Sequence, residues 1–477
     1  MKAKMGEEEL ALRAVAPYFL FEKKRKYAKK NSHASRNRLA ARWRPKGRSS
    51  RFAQSLHTFF LRKKKVCKEK LSRFARQAGS KMKSEKREGR SRFAQSLGQD
   101  KAGLLVADSG GMGYNGRKKK SPVMAGEREE RMMLKPRRLY PGDRVAMVSL
   151  SWGGLGDPQF LHKYDIAKKR LKEEFQLELV PMPHALKGSD FVARHPELRA
   201  QDLMDAFRDR SIAAIFCAIG GDDTIRTLPY IDFAVMRDNP KIFMGYSDTT
   251  INHLMMQRAG LVSFYGPSVM CEFGEYVRMF DYTREAVRRL LFADSAGYVV
   301  PSSPSWSDDY VPWDEQNVRI AKRLRPETHD YELLQGSGKV QGQLMGGCVD
   351  VFCMAVGTPI WPAPKEWQGA LLLLETSEEK PSPATLTYAL RSLAAQGILR
   401  VISGIVMGKP QGEVYYEEYK QVLLQVVAQE EGLRHLPILY NLNIGHAFPT
   451  GVLPLGVQAE IDCEAKTLTL LESATVA

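Results

Sequence analysis

Ser247 has the setting that best suits covalent chemistry. It follows the apolar run Lys241-Ile242-Phe243-Met244 and the pair Gly245-Tyr246, and precedes Asp248-Thr249-Thr250 and a helical stretch reaching Gln257. A strand-to-helix turn there would lift the hydroxyl above a sheet edge, where the helix N-terminus favours developing negative charge. The same residues are also ordinary capping chemistry, because Ser, Asp and Thr accept the free N–H groups of a first helical turn. Thr249, moreover, stands where a G-x-S-x-G elbow has its second glycine. On spacing alone both readings remain open.

A hydroxyl nucleophile needs a base, a group that orients the base, and donors for the oxyanion. Gly220-Gly221-Asp222-Asp223 closes the apolar strand Ala214 to Ile219 just ahead of Ser247. Paired glycines let backbone N–H groups approach an oxyanion, although such a pair is also a plain turn. Glu375 ends the apolar run Ala370 to Leu374, at the edge where a carboxylate could orient an imidazole, with Glu378 and Glu379 behind it as first-turn acids of a following helix. Among the histidines, His446 has the most loop-like setting, Asn443-Ile444-Gly445-His446-Ala447-Phe448-Pro449, which equally suits a structural role. H-E-x-x-H, clustered Cys/His spacing, a P-loop and G-x-G-x-x-G do not occur, so metal hydrolysis and P-loop chemistry are disfavoured, and no metal or cofactor is expected.

The elements that must position these residues alternate. Strands are expected at Asp143 to Ser149, Leu177 to Val180, Ile212 to Ile219 and Lys241 to Met244, and helices at Pro158 to Phe175, Pro196 to Arg208 and from Thr224. Strand, helix, strand in this order predicts a parallel sheet covered on both faces. Residues 301–340, rich in Pro, Ser and Gly and carrying Trp306 and Trp313, break the rhythm as a linker or lid. A second α/β unit follows over 341–477, with strands near Gly369 to Leu374, Ser403 to Met407 and Gly456 to Ile461, and helices near Pro383 to Ala395 and Tyr415 to Glu431. The chain thus reads as α/β, with one domain over 134–300 and another over 341–477.

Net charge +18 looks like a nucleic-acid signal until it is divided. Residues 1–133 hold 37 Lys+Arg against 12 Asp+Glu, a net +25, so the rest of the chain is acidic at −7. Like-charge runs such as Lys23-Lys24-Arg25-Lys26 and Lys118-Lys119-Lys120 oppose collapse, and this basic arm is expected to be disordered. It fits a basic tail for nucleic acid or anionic lipid, an organelle leader, or, as the tandem Met132-Met133 favours, upstream sequence translated from a misplaced start. The tail leaves one reading of another class: a nucleic-acid-associated protein with a degenerate enzyme domain, binding with strong salt dependence. Six scattered cysteines without a C-x-x-C pair fit reduced thiols in the cytoplasm, and no apolar run is long enough to span a membrane.

The segment Pro240 to Thr250, preceded by Ile219-Gly220-Gly221 and Leu228-Pro229-Tyr230-Ile231-Asp232 and followed by Tyr265-Gly266-Pro267, resembles the LD-carboxypeptidase family of serine peptidases. Leu374-Glu375-Thr376-Ser377-Glu378-Glu379 and Gly445-His446 continue the likeness, which runs from 134 to 477. The resemblance implies a flavodoxin-like N-terminal domain, a smaller C-terminal β/α domain, and a homodimer. It also implies a triad of Ser247 as nucleophile, His446 as general base and Glu375 as orienting carboxylate, with backbone donors placed here at Gly221 and Asp248. Two branches are similar. One removes D-alanine from murein tetrapeptides and commonly has Arg-Gly-Gly-Tyr-Gly where this chain has Ile219-Gly220-Gly221-Asp222-Asp223; the other, the microcin C self-immunity peptidases, cuts a peptidyl-nucleotide amide. The first is the leading expectation, with Arg226 as the cation for a terminal carboxylate; Trp306 and Trp313 would stack on a base in the second. The expected partner is a small peptide or peptidyl-nucleotide, with neither membrane nor nucleic acid.

Overall fold

In the computed structural model, which describes residues 133–477, five parallel strands build the first sheet: β1 (Arg144–Val148), β2 (Glu178–Pro181), β3 (Ile212–Cys217), β4 (Ile242–Gly245) and β5 (Ser263–Tyr265). The arm expected over 1–133 lies, except for Met133, outside the described residues. The strands run β5-β4-β3-β1-β2, the flavodoxin-like order. β3 and β4 are buried along their whole length because both faces are covered. Helices Leu161–Phe175 and Asp281–Leu291 supply Leu171, Phe175, Val287 and Leu290 to one face, and Pro196–Arg208 and Thr250–Ala259 supply Leu203, Phe207, Leu254 and Met255 to the other. The helix expected from Thr224 is a 3-10 turn, Thr224–Tyr230, because Pro229 lies inside it.

The 301–340 segment carries a two-residue pairing of β6 (Ser305–Trp306) with β7 (Arg325–Pro326), and then β8 (Glu332–Gln335). β8 joins a second sheet with β9 (Lys339–Cys348), β10 (Leu371–Glu375), β11 (Gly404–Gly408) and β12 (Ile438–Leu442), of which β9 to β12 are parallel. The chain then crosses back, and β13 (Leu453–Leu455) pairs antiparallel with β5 of the first sheet before β14 (Gln458–Asp462) and β15 (Thr467–Leu470) extend the second. Alternation along β10 and β11 divides the second sheet's side chains. Leu372, Leu374, Ile405 and Met407 pack on helices Pro383–Ala395 and Tyr416–Leu423, whereas Leu371, Leu373 and Val406 enter the same core as the first sheet's strands. This shared core brings the ends of β4 and β10 together.

Candidate active site

The turn after β4 places Ser247 at φ +65°, the left-handed region, which costs a non-glycine residue roughly 1–2 kcal/mol. The Ser247 hydroxyl caps neither the 3-10 turn Ser247–Thr249 nor helix Thr250–Ala259, whose cap positions are Tyr246 and Thr249. Gly220 leaves the space this turn needs: a Cβ there would lie 2.7 Å from Ser247 Cβ and 2.9 Å from its Oγ. The Ser247 side chain therefore stands free beside the loop that closes β3.

Glu375, 1% exposed at the end of β10, is held from two sides. Its Oε2 accepts from His446 Nδ1 at 2.8 Å and from the His446 backbone N–H at 3.2 Å, and its Oε1 accepts from the Tyr265 hydroxyl at 2.6 Å. Gly445 is required here, because a Cβ would enter the Glu375 carboxylate. The Tyr265 oxygen in turn accepts from the Ser247 backbone N–H at 3.2 Å, so one hydroxyl ties the serine turn of the first sheet to the carboxylate of the second. Burial, and then the Glu375 charge, push the Tyr265 pKa far up, so it stays a donor. Burial alone would lower the His446 pKa, but Glu375 and Glu378 outweigh it and raise it to about 10.

The other imidazole nitrogen also has a carboxylate beside it. His446 Nε2 lies 2.8 Å from Glu378 Oε2. Glu378 is thus not a first-turn acid as its position suggests; helix Pro383–Ala395 starts only after the Pro381-Ser382 corner. Cys348, Glu375 and His446 form the one cluster of metal-type donors among the described residues. Its thiol is kept protonated by burial and by Glu375, and its imidazole and carboxylate already hold each other.

Ser247, His446 and Glu378 open into a cavity of about 850 Å³, within the usual range for ligand sites, which Gly220, Gly221 and Trp313 also line. Asp248 faces away. Its buried carboxylate accepts from Ser151 Oγ at 2.6 Å and from the Thr224 N–H at 2.8 Å, tying together the loops that carry Gly221 and Ser247. Arg226 does not reach the cavity as expected: its guanidinium turns to the Ala193 carbonyl at 2.7 Å and to Asp223 at 2.9 Å. Trp306 is also outside the lining, because it is buried under Lys409, whose Nζ lies 4.8 Å from the ring centre, and Arg325 at 5.5 Å. Trp313 does line the cavity, steadied by the buried Lys163 ammonium at 4.9 Å and by Phe160 edge-on at 6.2 Å. The sequence reading missed the roles in contact geometry of Tyr265 and Glu378. Tyr265 lay within a quoted motif, and Glu378 three residues past Glu375 was the available signal.

A mixed α/β fold with a serine at a strand-to-helix turn, a buried carboxylate–imidazole pair and a cavity lined from both sheets has the make-up of a serine-type hydrolytic enzyme. The chain matches the LD-carboxypeptidase N-terminal domain over residues 145–266 and the LD-carboxypeptidase C-terminal domain over 341–461. It belongs to the LD-carboxypeptidase family and is a peptidase. The "Probable murein peptide carboxypeptidase" of Bacillus subtilis is 29% identical, over 70% of this chain and 94% of its own length. The microcin C7 self-immunity protein MccF of Escherichia coli is 30% identical over 57% of this chain and 78% of its own. An MccF-like protein from Streptococcus pneumoniae, solved in complex with AMP, superposes with a TM-score of 0.64 at 35% identity, covering 69% of this chain and 98% of that one.

Proposed function

We propose that this serine peptidase hydrolyses the amide at the C-terminal end of a peptide whose leaving group carries a planar ring, as in a peptidyl-nucleotide. Ser247 Oγ attacks the acyl carbon, His446 Nε2 takes its proton and delivers it to the leaving amine, and water then releases the acyl group by the same base. Glu375 fixes the ring through Nδ1 and balances the imidazolium. Backbone N–H groups at Gly221 and Asp248 serve the oxyanion.

The observation that carries the leaving group is the Trp313 indole, held in the wall of the cavity that contains Ser247 and His446. Such a face suits an aromatic base. The AMP bound by the Streptococcus pneumoniae relative supports the same reading. Release of D-alanine from murein tetrapeptides is the second reading, and it has its own support. Lys380 lines the cavity beside Glu378 and can meet a terminal carboxylate in place of Arg226, and the Bacillus subtilis relative bears that name. Both readings place a homodimer in the cytoplasm, and the murein reading adds peptidoglycan recycling. Side-by-side assay decides between them: the first expects cleavage of a peptidyl-aspartyl nucleotide in preference to murein tetrapeptide, and the reverse preference would overturn it.

A further inference from the structure

A Ser–His–Glu mechanism gives Glu378 no task, yet its carboxylate occupies the nitrogen that must receive the Ser247 proton, 2.8 Å from His446 Nε2. The two carboxylates on this ring differ in kind. Glu375 is 1% exposed and fixed by Tyr265 and the His446 backbone, whereas the Glu378 side chain is 58% exposed. Glu378 also stands in the turn after β10, between Ser377, whose N–H is bound by Asp350, and Lys380 at φ +51°. One carboxylate is therefore built into the fold, and the other can swing into solvent without breaking any contact but its own. Substrate that reaches His446 meets Glu378 as well, because Glu378, His446 and Ser247 all line that cavity.

We propose that Glu378 is a removable cap on the general base, holding His446 doubly protonated in the free enzyme until substrate docking displaces it. This rests on the reading of His446 as the base. At rest Nδ1–H faces Glu375 and Nε2–H faces Glu378. Once Glu378 leaves, Nε2 gives its proton to water. The freed lone pair then accepts the Ser247 Oγ proton as the Oγ–C bond forms, and the leaving amine takes that proton as the C–N bond breaks.

The other groups around the ring do not substitute for the cap. Tyr246 meets the ring edge at 5.0 Å and is held neutral by burial, Cys348 is a protonated thiol, and Tyr265 acts behind Glu375. Lys322, above the Phe448 ring at 3.9 Å, is paired with Glu275 at 2.5 Å. The raised His446 pKa agrees with two carboxylates acting on one ring.

Glu378→Gln keeps the shape and removes the charge, which makes Glu378 testable as a positioning residue. In the full chain carrying Ser247→Ala, adding Glu378→Gln should shift the NMR titration of the His446 ring to lower pH by at least about one unit. In the chain with Ser247 intact, the acid limb of kcat/KM for a peptidyl-aspartyl nucleotide should move the same way, with at least about a tenfold gain well below the limb. Glu378→Asp, too short to reach Nε2, should reproduce both shifts, and the melting temperature should hold in each. Coincident ring titrations and pH profiles would overturn the cap. Turnover surviving in His446→Ala would instead overturn the base reading beneath it.

Discussion

At the scale of single residues, a strained serine and a braced imidazole line one cavity. Ser247 adopts φ +65° without using its hydroxyl as a cap, so its place reflects a demand other than helix stability. Ser247→Ala should therefore lower turnover by several orders of magnitude and change unfolding free energy by less than about 1 kcal/mol, measured by steady-state kinetics and urea melts. His446→Ala should be nearly as damaging, and the double variant no worse than either single one, because the members of such a unit do not act independently. Multiplying losses would point to another base. Tyr265→Phe tests the brace. Removing the hydroxyl leaves the buried Glu375 Oε1 without its donor, which should cost about 1–3 kcal/mol in stability as well as slowing turnover. A fall in turnover with intact stability would assign Tyr265 to the chemistry alone.

At the scale of elements, the sequence was most legible where periodicity and burial agree. Helix Pro196–Arg208 and helix Pro383–Ala395 have the bounds expected, because each begins with a proline that ends one conformation and starts the next. β9 was not legible: Gly342, Gly346 and Gly347 interrupt its apolar pattern, yet it is the longest described strand, since its glycines let β10 and Thr250 approach closely. The 301–340 segment was legible as a break in rhythm but not in its contacts. Nothing in Trp306 or Trp313 as letters says which faces the cavity; Lys409, about a hundred residues later, decides that Trp306 is packing. These placements predict a split. Trp306→Ala should destabilise by about 3–5 kcal/mol, as for other buried aromatic truncations, with the KM of the surviving folded enzyme little changed. Trp313→Ala should raise KM for a peptidyl-nucleotide by tenfold or more while shifting the melting temperature less, and Arg226→Ala should leave KM unchanged. Equal KM effects of the two tryptophans would remove Trp313 from the site.

At the scale of the whole molecule, the two sheets share one core, and the chain crosses between them at β13, so the two halves are tied together by packing and by a strand pairing. Residues from Met133 onward are already tied into that core. The Leu134 N–H donates to the Gly260 carbonyl, Val262 returns a bond to Leu134, Arg138 reaches Val476, and Met133 packs on Gly456. The 69% of this chain that superposes on the Streptococcus pneumoniae relative accounts for 98% of that protein's length. The charge divides at the same point, with a net +25 before residue 134 and −7 after it. A shortened chain beginning at Met133 should therefore melt in a single transition at the full chain's temperature, sediment in the same oligomeric state as the full chain and keep full kcat/KM. The excess of positive charge gives the reading of another class its test: a nucleic-acid-associated protein would bind RNA or DNA through residues 1–132 with an affinity that falls steeply with salt, and would lose that binding in the shortened chain. Loss of folding or turnover on removing residues 1–132 would show that the basic segment is part of the enzyme, and nucleic-acid binding that persists without it would place that activity on the α/β body.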